Sequence, residues 1–100
     1  MAKGLLPAGH VARRLRITGR VQGVGYRVWA IETARGLGLS GWARNRIDGS
    51  VEALVVGETA AVDAFIRHAH DGPMMAKVDG VDASLAEGIV ATGFTQKPTV

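Results

Sequence analysis

Hydrophobic and polar positions alternate from Val11 to Thr18, with Leu15 and Ile17 on one side and Arg14, Arg16 and Thr18 on the other. That period of two is the mark of a half-buried strand. The period then changes. From Tyr26 to Leu37, Val28, Ile31 and Ala34 recur at helical spacing, and Gly36 and Gly38 supply stop signals. Gly41 to Arg46 returns to a period of two, setting Trp42, Arg44 and Arg46 against Ala43 and Asn45. Asp48-Gly49 is a hairpin signal, and Ser50 to Val56, rich in β-branched residues, is the strand that follows it. Thr59 is placed to cap a second helix in which Val62, Phe65, Ile66 and Ala69 fall on one stripe, and Asp71-Gly72-Pro73 ends it. Lys77 to Leu85 is the fourth strand, with Gly80 marking a bulge. Ala91 to Gln96 adds a short terminal strand, and Lys97 to Val100 is a tail.

The order β-α-β-β-α-β predicts an α+β fold, the ferredoxin-like sandwich, with an antiparallel sheet carrying both helices on one face. Residues 1–10 read as an N-terminal tail and 11–97 as one domain. In this topology strands one and two run parallel on either side of strand three. Their ends therefore share one edge of the sheet, roughly 10 Å apart. The loop at 19–27 leaves strand one at that edge, and Asn45 lies near the same end of strand two.

Composition narrows the chemistry. One hundred residues, 47% of them hydrophobic, suit a single modest core. No apolar run approaches the roughly 20 residues that span a bilayer, and no signal-peptide pattern opens the chain, so a soluble cytoplasmic protein is expected. With no cysteine there is no disulfide, thiolate nucleophile or thiolate metal site. Charge is uneven. Residues 1–46 hold nine Lys and Arg against one acid, Glu32, a net of +8; residues 47–100 hold three bases and eight acids, a net of −5. Such asymmetry points to an anionic partner for the first half, unless folding sets the acids beside the bases.

The stretch Gly19-Arg20-Val21-Gln22-Gly23-Val24-Gly25-Tyr26-Arg27 joins a strand to a helix. Its glycines allow close backbone approach, and inward N–H groups, a helix start and a guanidinium together make an oxyanion cradle. A plain tight turn is the competing reading. Arg27, where the helix begins, can reach back to the loop and grip a phosphate with two parallel hydrogen bonds. Equally, it can be a solvated helix arginine pairing with Glu32. The Asn45 carboxamide can hold a water by donating and accepting at once, or can simply shape the Asp48-Gly49 turn.

Other candidates carry less. His68 and His70 point in different directions on a helix, so with Asp71 they suit a helix C-terminus better than a metal site. Glu52, Asp63 and Asp82 form no acid/base couple, no serine sits in a nucleophile elbow, and the glycine loop matches neither a Walker sequence nor a dinucleotide fingerprint.

With these residues in view, the sequence resembles the acylphosphatase family. Gly19 to Arg27 resembles the family's signature loop, and Gly41-Trp42-Ala43-Arg44-Asn45 its second motif. Asp48-Gly49-Ser50-Val51-Glu52, then Gly72-Pro73 with Val78 and Val81, also fit, so the resemblance covers roughly residues 11–97. It implies hydrolysis of the carboxyl-phosphate bond of small acyl phosphates, giving carboxylate and inorganic phosphate, by in-line attack of a positioned water. It implies no metal, no cofactor and no covalent intermediate. Arg27 takes the position of the family's phosphate-binding arginine, Asn45 that of the asparagine orienting the water. Backbone amides of Val21, Gln22, Gly23, Val24, Gly25 and Tyr26 complete the phosphate site, in a chain expected to be a monomer. The alternative is a non-catalytic ferredoxin-like module binding RNA through Arg14, Arg16, Arg44 and Arg46. It is disfavoured because RNA-reading sheets present stacked aromatics and strand one has none.

Overall fold

In a computed structural model, which describes residues 6–87 and 92–100, five strands and two helices follow in the order β1 (His10–Arg20), α1 (Tyr26–Gly36), β2 (Ser40–Asn45), β3 (Val51–Glu58), α2 (Thr59–Ala69), β4 (Lys77–Leu85) and β5 (Phe94–Gln96). The sheet order is β4-β1-β3-β2-β5. Strands β1, β2, β3 and β4 pair antiparallel as expected, but β5 runs parallel to β2, which makes the sheet mixed. The added strand is short: Gly41, Trp42 and Ala43 pair with Phe94, Thr95 and Gln96. Ala91, placed at its start by the sequence pattern, lies outside the described residues. The segment after it is no loose tail, since Lys97 N–H donates to Ala43 O at 2.9 Å and Val100 N–H to Asn45 O at 3.2 Å.

Period-two alternation sorts the sheet into two faces. Leu15, Ile17, Ala43, Val51, Ala53 and Val55 face the helices and form one core with Val62, Phe65 and Ala69 of α2 and with Tyr26, Ala30 and Ala34 of α1. Phe94 of β5 closes it, its ring centroid 6.2 Å from that of Phe65. Large buried side chains of this kind contribute roughly 1.5–3 kcal/mol each. The buried stripe of α1 is thus Tyr26, Ala30 and Ala34. Val28, which helical spacing placed in the core, is 58% exposed.

The second helix differs from expectation at its start. Thr59 is its first residue, not its cap; Glu58 holds the cap position without a side-chain hydrogen bond. The Thr59 hydroxyl instead donates to Gly9 O at 3.0 Å, tying the segment before β1 to the head of α2.

One irregularity matters for the sheet edge. Thr18 pairs with Gly80 and Gly19 with Val78, which leaves Asp79 of β4 as the extra residue of a bulge. Gly80 therefore lies beside the bulge, not in it. Gly19 is required there: its φ is +115°, and a Cβ would fall 2.3 Å from Lys77 O.

Among the described residues, the other face of the sheet carries no helix. Ala12, Trp42, Leu54 and Val56 pack on it with Leu6 and Ala86. Around them lies a charged network. Glu52 is 6% exposed and accepts from Arg14 at 2.6 Å, Arg44 at 2.7 Å and Arg46 at 2.8 Å. Arg16 pairs with Asp48. Arg44 also stacks over the Trp42 ring at 4.6 Å, with Lys97 at 5.1 Å and Arg14 at 5.7 Å. Much of the charge asymmetry along the chain is therefore answered inside the molecule. The four arginines of the RNA reading are each engaged by an acid, and Trp42 is roofed by cations.

Candidate active site

Strand β3 lies between β1 and β2, so the C-terminal ends of β1 and β2 meet at one edge, as the topology requires. There Val21, Gln22, Gly23, Gly25, Tyr26, Arg27, Val28 and Asn45 line one recess of about 110 Å³. The two sequence motifs come together in it.

The loop is shaped by its glycines. Gly23 has φ +73° and Gly25 φ +81°, while Val24 between them keeps a negative φ. Alternation of this sign turns successive N–H groups toward the same side. Neither glycine has any heavy atom within 4 Å of where a Cβ would stand, so backbone conformation, not crowding, requires them. Among the described residues, no N–H of Gln22, Gly23, Val24 or Gly25 donates to a backbone carbonyl. Gly25 caps α1 without a side-chain hydrogen bond, and the first turn of α1 holds no acid. Donors of this kind, beside the positive end of a helix dipole, are a favourable setting for an anion.

Arg27 is half-buried at the rim, and among the described residues it has no carboxylate partner; the pairing with Glu32 does not form. Asn45 is also half-buried, on the helix-facing side of β2. Its carboxamide does not build the hairpin turn. Asp48 does: Ser50 N–H and Ser50 Oγ–H donate to Asp48 Oδ1 at 2.9 and 2.6 Å. Those two bonds, with Arg16 and Arg46 nearby, hold the Asp48 carboxyl below the usual carboxylate range.

Two side chains not foreseen as structural supports position the loop. The Gln22 carboxamide Nε2 donates to Arg46 O at 2.7 Å and to Ser50 O at 2.9 Å. It pins the loop to the turn that follows Asn45. Its signal in the sequence was a long amide inside a glycine loop, read only for its backbone. Tyr26 is 2% exposed and its hydroxyl donates to Ala69 O at 2.8 Å, fastening the head of α1 to the end of α2. Burial pushes the Tyr26 hydroxyl well above its ordinary pKa, so it remains a donor. Its ring packs against Gly72, where a Cβ would come within 2.8 Å of Cε2.

His68 and His70 are exposed, and among the described residues no three His, Cys, Asp or Glu side chains gather as a metal site needs. No helix of the described residues is long and apolar enough to cross a membrane.

An α+β sandwich with a glycine loop, Arg27 and Asn45 gathered at the β1 and β2 ends defines a class, and comparison with known proteins gives the family. The acylphosphatase family model matches residues 13–95. An acylphosphatase of Rhizorhabdus wittichii is 49% identical over 90 residues, covering 90% of this chain and 91% of the relative. The crystal structure of acylphosphatase from Bacillus subtilis superposes with a TM-score of 0.82 at 31% identity, covering 87% of this chain and 98% of that one. Full-length HypF in its phosphate- and nucleotide-bound form contains a similar fold, with a TM-score of 0.84 and 27% identity over 97% of this chain and 13% of its own. The chain belongs to the acylphosphatase family.

Proposed function

We propose that this recess hydrolyses the carboxyl-phosphate bond of acyl phosphates. The observation that carries the reading is the meeting of unpaired loop amides, Arg27 and Asn45 in one pocket. The phosphoryl oxygens sit against the N–H groups of residues 21–26, and Arg27 grips two of them in parallel. Asn45 holds a water by accepting a hydrogen bond from it, directing the oxygen lone pair at phosphorus. Attack forms the new P–O bond and breaks the bond to the acyl oxygen, whose electron pair leaves with the carboxylate. The water's proton passes to the phosphate, and inorganic phosphate departs.

A carboxylate is a good leaving group, so positioning and charge stabilisation suffice without a strong base. The positive charge comes from a guanidinium and a helix start, and the reading requires neither metal nor cofactor. It takes the chain as a cytoplasmic monomer. The test is phosphate release from acetyl phosphate and benzoyl phosphate with a chelator present. Turnover is expected; its absence, or its loss on adding chelator, would overturn the reading.

A further inference from the structure

Asp48 is not among the residues lining the recess, yet hydrogen bonds lead from it to the phosphate-binding loop. Its Oδ1 accepts from Ser50 N–H at 2.9 Å and from Ser50 Oγ–H at 2.6 Å. Ser50 is buried, and its carbonyl accepts from Arg46 N–H at 2.8 Å and from Gln22 Nε2 at 2.9 Å. Arg46 O accepts from Gly49 N–H at 3.0 Å and from Gln22 Nε2 at 2.7 Å. Both carbonyls that hold the loop therefore belong to one turn, 46–50, and Asp48 braces that turn from within. Among the described residues, no side chain but Asp48 bonds the Ser50 N–H or hydroxyl.

The other oxygen of the same carboxylate, Oδ2, pairs with Arg16 of β1. Arg16 stands three residues before Gly19, where the glycine loop begins. A closed circuit results. It runs from β1 through Arg16 and Asp48 to the turn, from the turn through Gln22 to the loop, and along the chain back to β1. Asn45 directly precedes the turn, so this circuit fixes the water-orienting residue relative to the amides that hold the phosphate. Arg46 is also held by Glu52, at 2.8 Å, which anchors the turn to β3 independently of Asp48. Both partners of the Arg16–Asp48 pair are exposed, and exposed pairs add little to stability. Position is the property such a pair can still control, and a displacement of about 1 Å at a reacting centre can lower a rate about 10²-fold.

Resting on the activity proposed above, we infer that Asp48 is a positioning residue for the hydrolysis. Anchored by Arg16, it holds the 46–50 turn so that Gln22, and with it the phosphate-binding loop, stays in register with Asn45. Asp48 touches neither substrate nor water. It acts through Ser50 and Gln22, from a separate cavity of about 250 Å³ that it lines with Arg14, Arg16 and Arg46.

The test measures kcat and KM for acetyl phosphate, and inhibition by inorganic phosphate, in the natural chain, Asp48→Ala, Asp48→Asn, Arg16→Ala, Gln22→Leu and the Asp48→Ala/Gln22→Leu double variant. Thermal melts check that each is folded at the assay temperature. Asp48→Ala is expected to raise KM and the phosphate inhibition constant together, about three- to tenfold, short of the loss a full 1 Å displacement brings. Asp48→Asn keeps an acceptor for Ser50 and is expected to recover most of that change. Arg16→Ala leaves the turn's own bonds in place and raises KM by no more than about threefold, as suits an exposed pair. Because Asp48 acts through Gln22, the double variant is expected to be no worse in kcat/KM than Gln22→Leu alone. Unchanged KM and phosphate inhibition in Asp48→Ala, or losses that multiply in the double variant, overturn this role and leave the activity standing. Failure of the natural chain to hydrolyse acetyl phosphate overturns the activity, and the role with it.

Discussion

Gln22 and Arg46 stand 24 positions apart, yet the carboxamide of one donates to the carbonyl of the other at 2.7 Å. The same nitrogen reaches Ser50 O at 2.9 Å. Loop and hairpin turn are thereby joined at the edge where Arg27 and Asn45 must agree in position. Replacing Gln22 by Leu removes both bonds and leaves the two carbonyls to other donors. The expected cost is about 1–3 kcal/mol in urea unfolding, with a rise in KM for acetyl phosphate. Unaltered stability and KM would mean that the clamp is incidental.

Arg27 contributes little to the fold, being half-buried and without a carboxylate partner among the described residues. Arg27→Ala is therefore expected to keep its melting temperature and lose hydrolysis by a factor of at least about 10². Arg27→Lys keeps the charge but not the paired geometry, so it restores only part of that loss. Near-normal turnover by the alanine variant would sink the assignment.

Asn45 separates two steps. If its carboxamide orients water, Asn45→Ala lowers kcat while inorganic phosphate still inhibits at an ordinary concentration. Product inhibition measured beside kcat distinguishes this from a phosphate-binding role, in which inhibition would weaken in parallel.

Tyr26 holds the head of α1 through its hydroxyl. Tyr26→Phe removes one buried donor from Ala69 O and is expected to cost about 1 kcal/mol. Turnover should survive at 25 °C. A collapse of kcat without loss of stability would place the hydroxyl in the chemistry.

Glu52 gives the acid response of the fold. Burial raises its pKa, but hydrogen bonds from Arg44, Arg14 and Arg46 outweigh that and hold it below its ordinary 4.5. A carboxyl depressed in the folded state contributes stability that is present above about pH 4.5 and lost as pH falls through the folded value. Glu52→Gln should lower stability at pH 7 and flatten the acid limb of the stability profile. The two chains' urea midpoints should converge as pH falls through the folded value; an equal gap at every pH would contradict this origin.

Most of the fold was legible because its punctuation is strong. Gly36 and Gly38 end α1, Asp48-Gly49 makes the hairpin, and the period of two sorts Ala43 and Asn45 from Trp42, Arg44 and Arg46. The candidate site was legible for a topological reason: β3 inserts between β1 and β2, which forces both motifs to one edge. What escaped the pattern depends on long-range pairing. Val28 satisfies helical spacing, yet the stripe that α1 turns to the core is Tyr26, Ala30 and Ala34, which leaves Val28 exposed. Thr59 is a good cap by type, but Gly9 O claims its hydroxyl. Three residues of β5 cannot announce their direction, and a parallel strand beside β2 looks no different in sequence from an antiparallel one. Glu52 was read only as an acid without an acid/base partner, because its three arginines come from elsewhere: Arg14 from β1, Arg44 from β2 and Arg46 from the turn after β2.

The bulge at Asp79 bears on what the outer edge of the sheet offers to another chain. With β5 laid along β2, β4 is the long outer strand of the sheet, nine residues whose outer row of backbone donors and acceptors meets no further strand among the described residues. A flat edge of that length invites a second chain to add itself, which is the first step toward fibrils. Here the extra residue twists the strand, and Lys77, Asp79 and Asp82 place charge along it. The residue that breaks the register thus works against strand addition at an edge away from the recess.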